Sequence, residues 1–171
     1  AALLSKMEAS NAAEILKNMD PTKGARVLEK MSAGHAGLIL MEMDAETAGE
    51  MLKVMDESKA ADILSRVALS DPSKAAQMLD HLDASRGAAI IANMDTGSAA
   101  AVLNEMSAHK AADVMSNMTL NKAAALMGEM QADKAAAVLN NMASYAAAGV
   151  LAEMKLEAAG AILNELSASK A

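Results

Sequence analysis

Residues 19–31 read MDPTKGARVLEKM, and this stretch contains the pattern that decides the fold. Its first and last residues, Met19 and Met31, lie twelve residues apart, and an aspartate and a proline follow Met19. A Gly-Ala pair begins five residues after Met19, and a Val-Leu pair begins eight residues after it. The same arrangement returns along the whole chain of 171 residues. The chain is therefore built from an internal repeat, and the fold is predicted from the structure of one repeat.

We call the apolar residue that opens each repeat its anchor, and we number the twelve positions that follow it. The anchors are Met7, Met19, Met31, Met43, Met55, Val67, Leu82, Met94, Met106, Met118, Met130, Met142, Met154 and Leu166. They are twelve residues apart, except for one step of fifteen between Val67 and Leu82. With the frame shifted by three residues in that step, the fifth and sixth positions are Ala or Gly in every repeat. The eighth and ninth positions are always aliphatic or Met.

Apolar residues at the fifth, eighth, ninth and twelfth positions have the spacing of one face of an α-helix. Most anchors are followed by a residue whose side chain can cap a helix N-terminus. These residues are Asp20, Ser32, Asp44, Asp56, Asp83, Asp95, Ser107, Thr119 and Ser167. Pro21 and Pro72 each follow an aspartate, at the first helical position, where the missing N–H of proline costs nothing. The pattern predicts one helix of about ten residues in each repeat.

Helices this short are marginally stable alone, so they must stack as in other repeat arrays. The small residues at the fifth and sixth positions allow helix axes to approach closely. From Asn93 to Glu153 the eleventh position alternates between Asn and Glu, which predicts a unit of two antiparallel helices with different surroundings. The predicted fold class is all-α: a solenoid or superhelix of about thirteen short helices, built from the 12-residue repeat in 24-residue helix pairs.

The long step adds three residues, Ala68, Leu69 and Ser70, before Asp71. Because Leu69 would continue the apolar face, we predict that the helix after Lys59 is almost one turn longer and stops before Pro72. This change should divide the chain into an N-terminal helical-repeat block, 1–70, and a C-terminal block, 71–171, that continue as one solenoid.

The composition excludes several classes of protein. The chain has no Cys, Trp or Phe, one Tyr, 15 basic and 22 acidic residues, and a net charge of −7. It therefore has no disulfide or thiolate site, no basic surplus for nucleic acid and no aromatic platform for bases. Fifteen of the sixteen Met stand at core positions, where packing is a simpler role than binding copper.

Candidate chemistry is sparse. His35, His81 and His109 occupy different repeat positions without a metal-ligand spacing, and the acidic residues are spread along the chain. No Gly-rich phosphate loop and no Ser with a neighbouring base occur. We expect that the chain is not an enzyme and that it has no catalytic residues and no small-molecule substrate. We also expect no cofactor-binding site and no metal site. The alternative for the metal is weak association of Mg²⁺ with the scattered carboxylates. The longest uncharged run, 135–152, contains interior Asn and Tyr, so we expect no membrane-spanning segment.

The seventh position changes character along the chain. It is mostly polar in the early repeats and mostly Ala or Gly in the later ones. We predict that an alanine ledge, aligned across the stack, docks a partner protein; tighter internal packing is the alternative. The alanine ledge consists of Ala89, Ala101, Ala125, Ala137 and Ala161.

The consensus Met-Asp-Pro-x-Lys-Ala-Ala-x-Ile-Leu-x-x-Met resembles the helical repeats of the cytosolic N domain of MgtE-type magnesium transporters. Residues 18–28 carry the resemblance best, followed by 70–79. Related repeats occur in the flagellar switch protein FliG. The resemblance covers nearly the whole chain and implies a superhelical stack of short helices. It assigns no magnesium-sensing residue, since the acidic residues here match no motif of the family.

The expected function is that of a non-enzymatic scaffold or linker that binds other proteins of a larger assembly. One possible setting for such a linker is a photosynthetic antenna. The chain would then lie in the plastid stroma, or at the cytoplasmic face of a membrane complex to which it attaches. The resemblance implies an alternative, a regulatory cation-sensing domain of an MgtE-like magnesium transporter. A third hypothesis for the function is an adaptor of the flagellar-motor type. Measured Mg²⁺ binding separates the sensor from the scaffold.

Overall fold

A computed structural model describes residues 2–168, and within that range it contains one short 3-10 helix, thirteen α-helices and no strand. The helices are η1 (Leu4–Lys6), α1 (Ala9–Lys17), α2 (Pro21–Glu29), α3 (Ala33–Met41), α4 (Ala45–Val54), α5 (Glu57–Ser70), α6 (Pro72–Asp80), α7 (Ala84–Asn93), α8 (Thr96–Glu105), α9 (Ala108–Ser116), α10 (Leu120–Glu129), α11 (Ala132–Asn141), α12 (Ser144–Glu153) and α13 (Leu156–Ala168). The all-α prediction, with one helix per repeat, is confirmed.

Each helix packs mainly against the helices two positions away in the chain. For example, α3 packs against α1 and α5, and α10 packs against α8 and α12. The odd-numbered helices therefore form one row and the even-numbered helices a second row. We call η1 with α1 the first layer, α2 with α3 the second, and so on to α12 with α13, the last layer. The predicted solenoid of helix pairs is confirmed.

Small residues set the distance between layers. A Cβ on Gly24, a fifth-position residue, would lie 2.8 Å from the Met51 Cε of α4, and one on Gly87 would lie 3.4 Å from the Val114 Cγ2 of α9. A Cβ on Gly49, a sixth-position residue, would lie 3.1 Å from a carbonyl oxygen of α6. Met51 and Val114 are both eighth-position residues. The eighth position therefore packs back onto the preceding layer, and the fifth and sixth positions receive the following one.

Capping explains where most helices begin. The N-cap side chains of α2 to α10 accept a backbone N–H two or three residues ahead. Eight of the nine predicted capping residues fill this role, and Asp71 caps α6 in the same way. The prediction is wrong at Ser167, which lies in the last turn of α13. Its hydroxyl instead donates to the Leu163 carbonyl at 3.0 Å, because the helix continues past the repeat boundary.

The long step lengthens α5, as predicted. This helix has 14 residues and ends at Ser70, where Asp71 alone connects it to α6. The Asp71 N–H still donates to the Val67 carbonyl at 2.8 Å, and Pro72 prevents further continuation. The expectation that Leu69 faces the core is wrong, since its side chain is 71% exposed. Leu69 stands two residues after Val67, about 200° around the helix, and points to solvent. The division of the solenoid into two blocks stays a prediction.

One apolar core runs along the stack between the two rows of helices. None of the sixteen Met is exposed, which agrees with their predicted packing role. Ser98, which the polar character of its position suggests is exposed, is buried in α8. It occupies the fourth position, one turn before the buried eighth position and on the same face of the helix.

Candidate interaction surfaces

The alanine ledge lies on the outer sides of the helices, because the seventh position is about 200° around the helix from the buried fifth position. Ala125 and Ala161 are exposed, whereas Ala89, Ala101 and Ala137 are half-buried. Three of these residues belong to the odd row (α7, α11, α13) and two to the even row (α8, α10). The expected single row is therefore wrong, since the two rows turn their outer sides away from each other. The docking role of these alanines stays a prediction.

The two rows differ in their outer polar groups. In four odd-numbered helices the eleventh-position Asn donates to the carbonyl of the seventh position, at 2.8 Å in each case. The donors are Asn18, Asn93, Asn117 and Asn141. The even-numbered helices α8, α10 and α12 end instead with the exposed Glu105, Glu129 and Glu153. The alternation in the sequence therefore follows the two rows, so odd and even helices do meet different surroundings.

Basic side chains at the fourth position join the layers. The Arg86 guanidinium donates to the carbonyl oxygens of Leu52, at 2.9 Å, and of Met55, at the end of α4. Lys110 Nζ donates to two carbonyl oxygens at the end of α6, at 3.0 and 3.1 Å. His35 Nε2 lies 3.4 Å from a carbonyl oxygen of η1. A cation at a helix C-terminus is stabilised by the free carbonyls there. Sequence reasoning missed these contacts, although a basic fourth position recurs in the repeats.

The other histidines do not form a site. His81 is exposed, and the exposed His109 lies 3.7 Å from an oxygen of Asp113 in the same helix. Across residues 2–168, no group of three or more His, Asp or Glu side chains converges in a way that could hold a metal ion.

A groove with a volume of about 560 Å³ lies on the even row, where α8, α10, α12 and the start of α13 meet. Glu129, Glu153, Lys155 and Asn121 supply its polar groups. The groove is completed by Thr96 and by the small or apolar residues Ala124, Ala125, Gly128, Met154 and Ala158. One residue of the alanine ledge, Ala125, thus lies beside two carboxylates.

A second, apolar groove of about 310 Å³ lies between α3 and α5. Leu38 and Leu69, 53% and 71% exposed, line it together with Met41 and Arg66. Leu38 is the one apolar residue among the early seventh positions, and Leu69 comes from the long step. This groove therefore arises where the repeat is irregular.

The surface carboxylates are largely without basic partners. Among residues 2–168, two ion pairs join a Lys or Arg to a carboxylate, Lys17 with Glu14 and Arg86 with Glu57, both at 3.4 Å. An exposed pair such as Lys17 with Glu14 contributes little to stability. Most surface carboxylates in this part of the chain are therefore not paired with a Lys or Arg side chain.

Two capping aspartates have perturbed acidity. The backbone N–H and the hydroxyl of Thr47 hold the pKa of Asp44 below its ordinary value. The backbone N–H of Ser98 holds the pKa of Asp95 below its ordinary value. Hydrogen bonds to the ionised carboxylate favour that form in both cases. The shifts are explained by capping and need no ligand.

No helix within residues 2–168 combines the length and the apolar character that crossing a bilayer requires.

The sequence of the chain matches a known protein family. The family model of the MgtE intracellular N domain matches the chain twice, over residues 1–70 and over residues 69–170. Comparisons with curated proteins and with solved structures gave no match. The two matches together cover nearly the whole chain, and they confirm the family that the repeats resemble. The chain therefore belongs to the family of MgtE intracellular N domains.

Proposed function

We propose that this chain is a non-catalytic regulatory domain that responds to divalent cations and passes that response to a partner protein. The observation that carries the proposal is the match to the MgtE intracellular N domain over nearly the whole chain. That family is one of helical, cation-sensing regulatory domains without catalytic activity. The proposal replaces the scaffold as our first choice of function.

The charge of the chain supports this role. Acidic residues outnumber basic ones by 22 to 15, and few carboxylates in the described range are held in ion pairs. Free carboxylates on a surface attract divalent cations, and Mg²⁺ in particular prefers oxygen ligands. Cation binding would also relieve the mutual repulsion of the acidic groups.

The groove on the even row is the best candidate for the responding surface. Glu129 and Glu153 line it together with Thr96 and Asn121, which also carry oxygen atoms. Lys155 lines the same groove and lowers the local negative potential. Two carboxylates beside an ammonium group should hold Mg²⁺ weakly, through its retained water molecules. Tight binding would then need further carboxylates from the partner, which would couple cation concentration to association.

A magnesium titration followed by NMR at constant ionic strength tests this proposal. We expect amide shifts around Glu129 and Glu153 that saturate with Mg²⁺ and do not occur with K⁺. The double variant Glu129→Gln/Glu153→Gln should lose them. Glu105→Gln is the matched control, because Glu105 occupies the same repeat position in α8 but does not line the groove. An identical response of wild type and double variant would contradict the proposed groove.

A scaffold or linker is the second candidate function, and exposed apolar side chains favour it. Leu38, Leu69, Tyr145 and Leu156 are between 53% and 90% exposed, which is unusual for a surface without a partner. Replacing Ala101 and Ala137 by Glu should abolish binding to a protein partner while helical content stays the same. Retained binding by the folded double variant would remove the alanine ledge from consideration.

A further inference from the structure

One side of the groove between α3 and α5 is a single apolar face of α3. Four residues with the spacing of one helical face line it from that side: Gly34, Gly37, Leu38 and Met41. A Cβ on Gly34 would meet nothing within 4 Å among the described residues, so the groove is open there. A Cβ on Gly37 would lie 3.2 Å from the Arg66 Cβ, so α5 approaches α3 closely at that point. The α3 side is therefore an apolar surface with two glycines and one exposed leucine.

The α5 side of the groove changes from polar to apolar along the helix. A second set of four residues, again with the spacing of one helical face, lines a neighbouring groove of about 430 Å³: Asp62, Ser65, Arg66 and Leu69. Asp95, the N-cap residue of α8, also lines it. Because Arg66 and Leu69 line both grooves, the two form one continuous surface. We call it the α3–α5 surface, with an apolar part at Leu38 and Leu69 and a polar part at Asp62 and Asp95.

The α3–α5 surface lies inside the stack. Helix α1 packs against α3 from one side, and α7 packs against α5 from the other. The exposure of Leu38 and Leu69, at 53% and 71%, therefore does not depend on what precedes or follows the chain. Two exposed leucines in one groove are the kind of apolar surface that a partner protein covers.

The structure of the surface selects the kind of segment that fits. A strand-forming segment needs a free sheet edge, and residues 2–168 contain no strand. A proline-rich segment needs aromatic side chains, and the one aromatic residue of the chain, Tyr145, lies in α12. A helix satisfies its own backbone N–H and C=O groups, and two adjacent helical faces offer a groove for a third helix. An amphipathic helix is therefore the segment that fits.

The polar part of the surface is negatively charged. Asp62 and Asp95 line it together with one cation, Arg66. Among residues 2–168, neither carboxylate forms an ion pair with a Lys or Arg side chain. The Ser98 N–H donates to Asp95 at 2.9 Å, which fixes the position of that carboxylate. Because the whole chain also has a net charge of −7, it should attract a basic partner segment and repel an acidic one.

We propose that the α3–α5 surface binds a basic amphipathic helix of a partner protein. Aliphatic side chains of that helix pack between Leu38 and Leu69. A Lys or Arg, about two turns along, lies beside Asp62, because Asp62 and Leu69 are separated by about two turns of α5. The surface is separate from the groove at Glu129 and Glu153. The inference therefore goes beyond the cation response and gives the scaffold function a binding site.

Selection from a phage-displayed library of helix-forming peptides tests the proposal. The target is the whole chain, with EDTA present so that no divalent cation contributes. Gly34→Leu is the parallel target, since its new side chain fills the open groove without meeting a neighbour. We expect enriched peptides with aliphatic residues at helical spacing and a Lys or Arg one or two turns away. Enrichment of acidic peptides, or equal enrichment on Gly34→Leu, would overturn the proposal.

Fluorescence anisotropy with the most enriched peptide then compares variants of the surface. Leu38→Glu and Leu69→Glu should each raise Kd at least about tenfold, because a charge would have to be buried in the apolar contact. Asp62→Asn should raise Kd by about two- to fivefold, as expected when an exposed ion pair is lost. Unchanged affinity in the folded leucine variants would contradict the proposed surface.

Matched controls separate loss of the surface from unfolding or general stickiness. Leu156→Glu removes a leucine that is 90% exposed elsewhere, and Gly160→Leu alters another glycine where a Cβ meets nothing within 4 Å. Asp113→Asn makes the charge change at the same repeat position in α9. All three should bind as the wild type does, and circular dichroism should show unchanged helical content. Equal weakening by Leu156→Glu and Leu38→Glu would overturn the proposal.

Sedimentation equilibrium distinguishes a partner helix from a second copy of the chain. The wild type should stay monomeric in EDTA. Self-association that Leu38→Glu abolishes would make a second copy the occupant and overturn the proposed partner helix. The magnesium titration at Glu129 and Glu153 uses a different surface, so failure of peptide binding and failure of the cation response are independent results.

Discussion

The interior helices and the last two helices share one repeat but differ in how much of it they bury. Helix α8 buries five residues and α11 four, whereas α12 buries only Val150 and α13 only Ile162. The last two helices still carry the small pair and the aliphatic pair of the repeat. The repeat therefore fixes which side of a helix is available for packing, and the neighbour two helices along decides whether it is buried.

Local interactions weaken toward the same end. The N-cap side chains of α2 to α10 accept a backbone N–H, whereas Gln131 and Ala143, the N-cap residues of α11 and α12, form no such bond. The Gln131 N–H is satisfied across the stack by the Asn104 side chain at 3.1 Å. The end of the stack thus combines missing caps with a missing neighbour, and both should lower local stability.

The largest expected difference comes from the ninth position. Leu103→Ala removes a fully packed side chain and should lower the free energy of unfolding by about 2–5 kcal/mol. Leu163→Ala removes a side chain that is already 46% exposed and should cost about 1 kcal/mol or less. Urea denaturation of both variants measures the contrast. Equal losses would show that the last layer is covered in solution.

A similar contrast is expected at the sixth position. Ala136 is buried against the following layer, so Ala136→Leu should overpack this contact and cost about 1–3 kcal/mol. Ala148 holds the same position in α12 but is exposed, so Ala148→Leu should change stability by no more than about 0.5 kcal/mol. Lys134→Leu serves as a surface control in α11. Matching melting temperatures for the variants at Ala136 and Ala148 would contradict the role of the small pair.

Substitutions at N-cap residues should change stability in opposite directions in the interior helices and in the last two helices. Asp83 accepts the Arg86 N–H at 2.8 Å, so Asp83→Ala should lower stability by about 1 kcal/mol. Ala143→Asp should supply the missing cap of α12 and raise stability by up to a similar amount. Thermal unfolding followed by circular dichroism measures both changes. A loss of stability in Ala143→Asp would mean that α12 does not begin where the structure places it.

The smallest effect concerns acidification. The pKa values of Asp44 and Asp95 lie below the ordinary 3.8 in the folded chain, so both caps contribute stability above that pH and lose it as the pH falls through the folded value. Asp95→Asn keeps a capping oxygen that does not titrate. Its melting temperature should therefore fall less than that of the wild type between neutral and acidic pH. A parallel decrease in the two proteins would remove Asp95 from the acid response.

The features that the sequence predicts correctly are those that local rules determine. The twelve-residue spacing, the capping aspartates and the longer α5 depend on residues within one or two helical turns of each other. Asp71 and Pro72 stop α5 whatever packs against it. The wrong predictions concern residues whose surroundings come from distant parts of the chain. Leu69 is apolar but is largely exposed beside the groove between α3 and α5, and Ser98 is polar but shares the buried face of α8.

The candidate surfaces show the same division. The alanine ledge was predicted as one aligned row, but counting repeats along a chain does not separate odd from even helices. Ala101 and Ala137 therefore lie on opposite rows. The contacts of Arg86 with α4 could not be predicted either, since they join residues more than thirty positions apart. A basic residue recurring at the fourth position was the one available signal.

Residue-resolved amide hydrogen exchange tests most directly the claim that each layer is stabilised by the layers on both sides. The measurement should be made at a concentration where sedimentation shows single copies. The account predicts the slowest exchange in α6 to α9, with protection decreasing toward α1 and most clearly toward α12 and α13. Protection in α12 and α13 equal to that in α8 would contradict it.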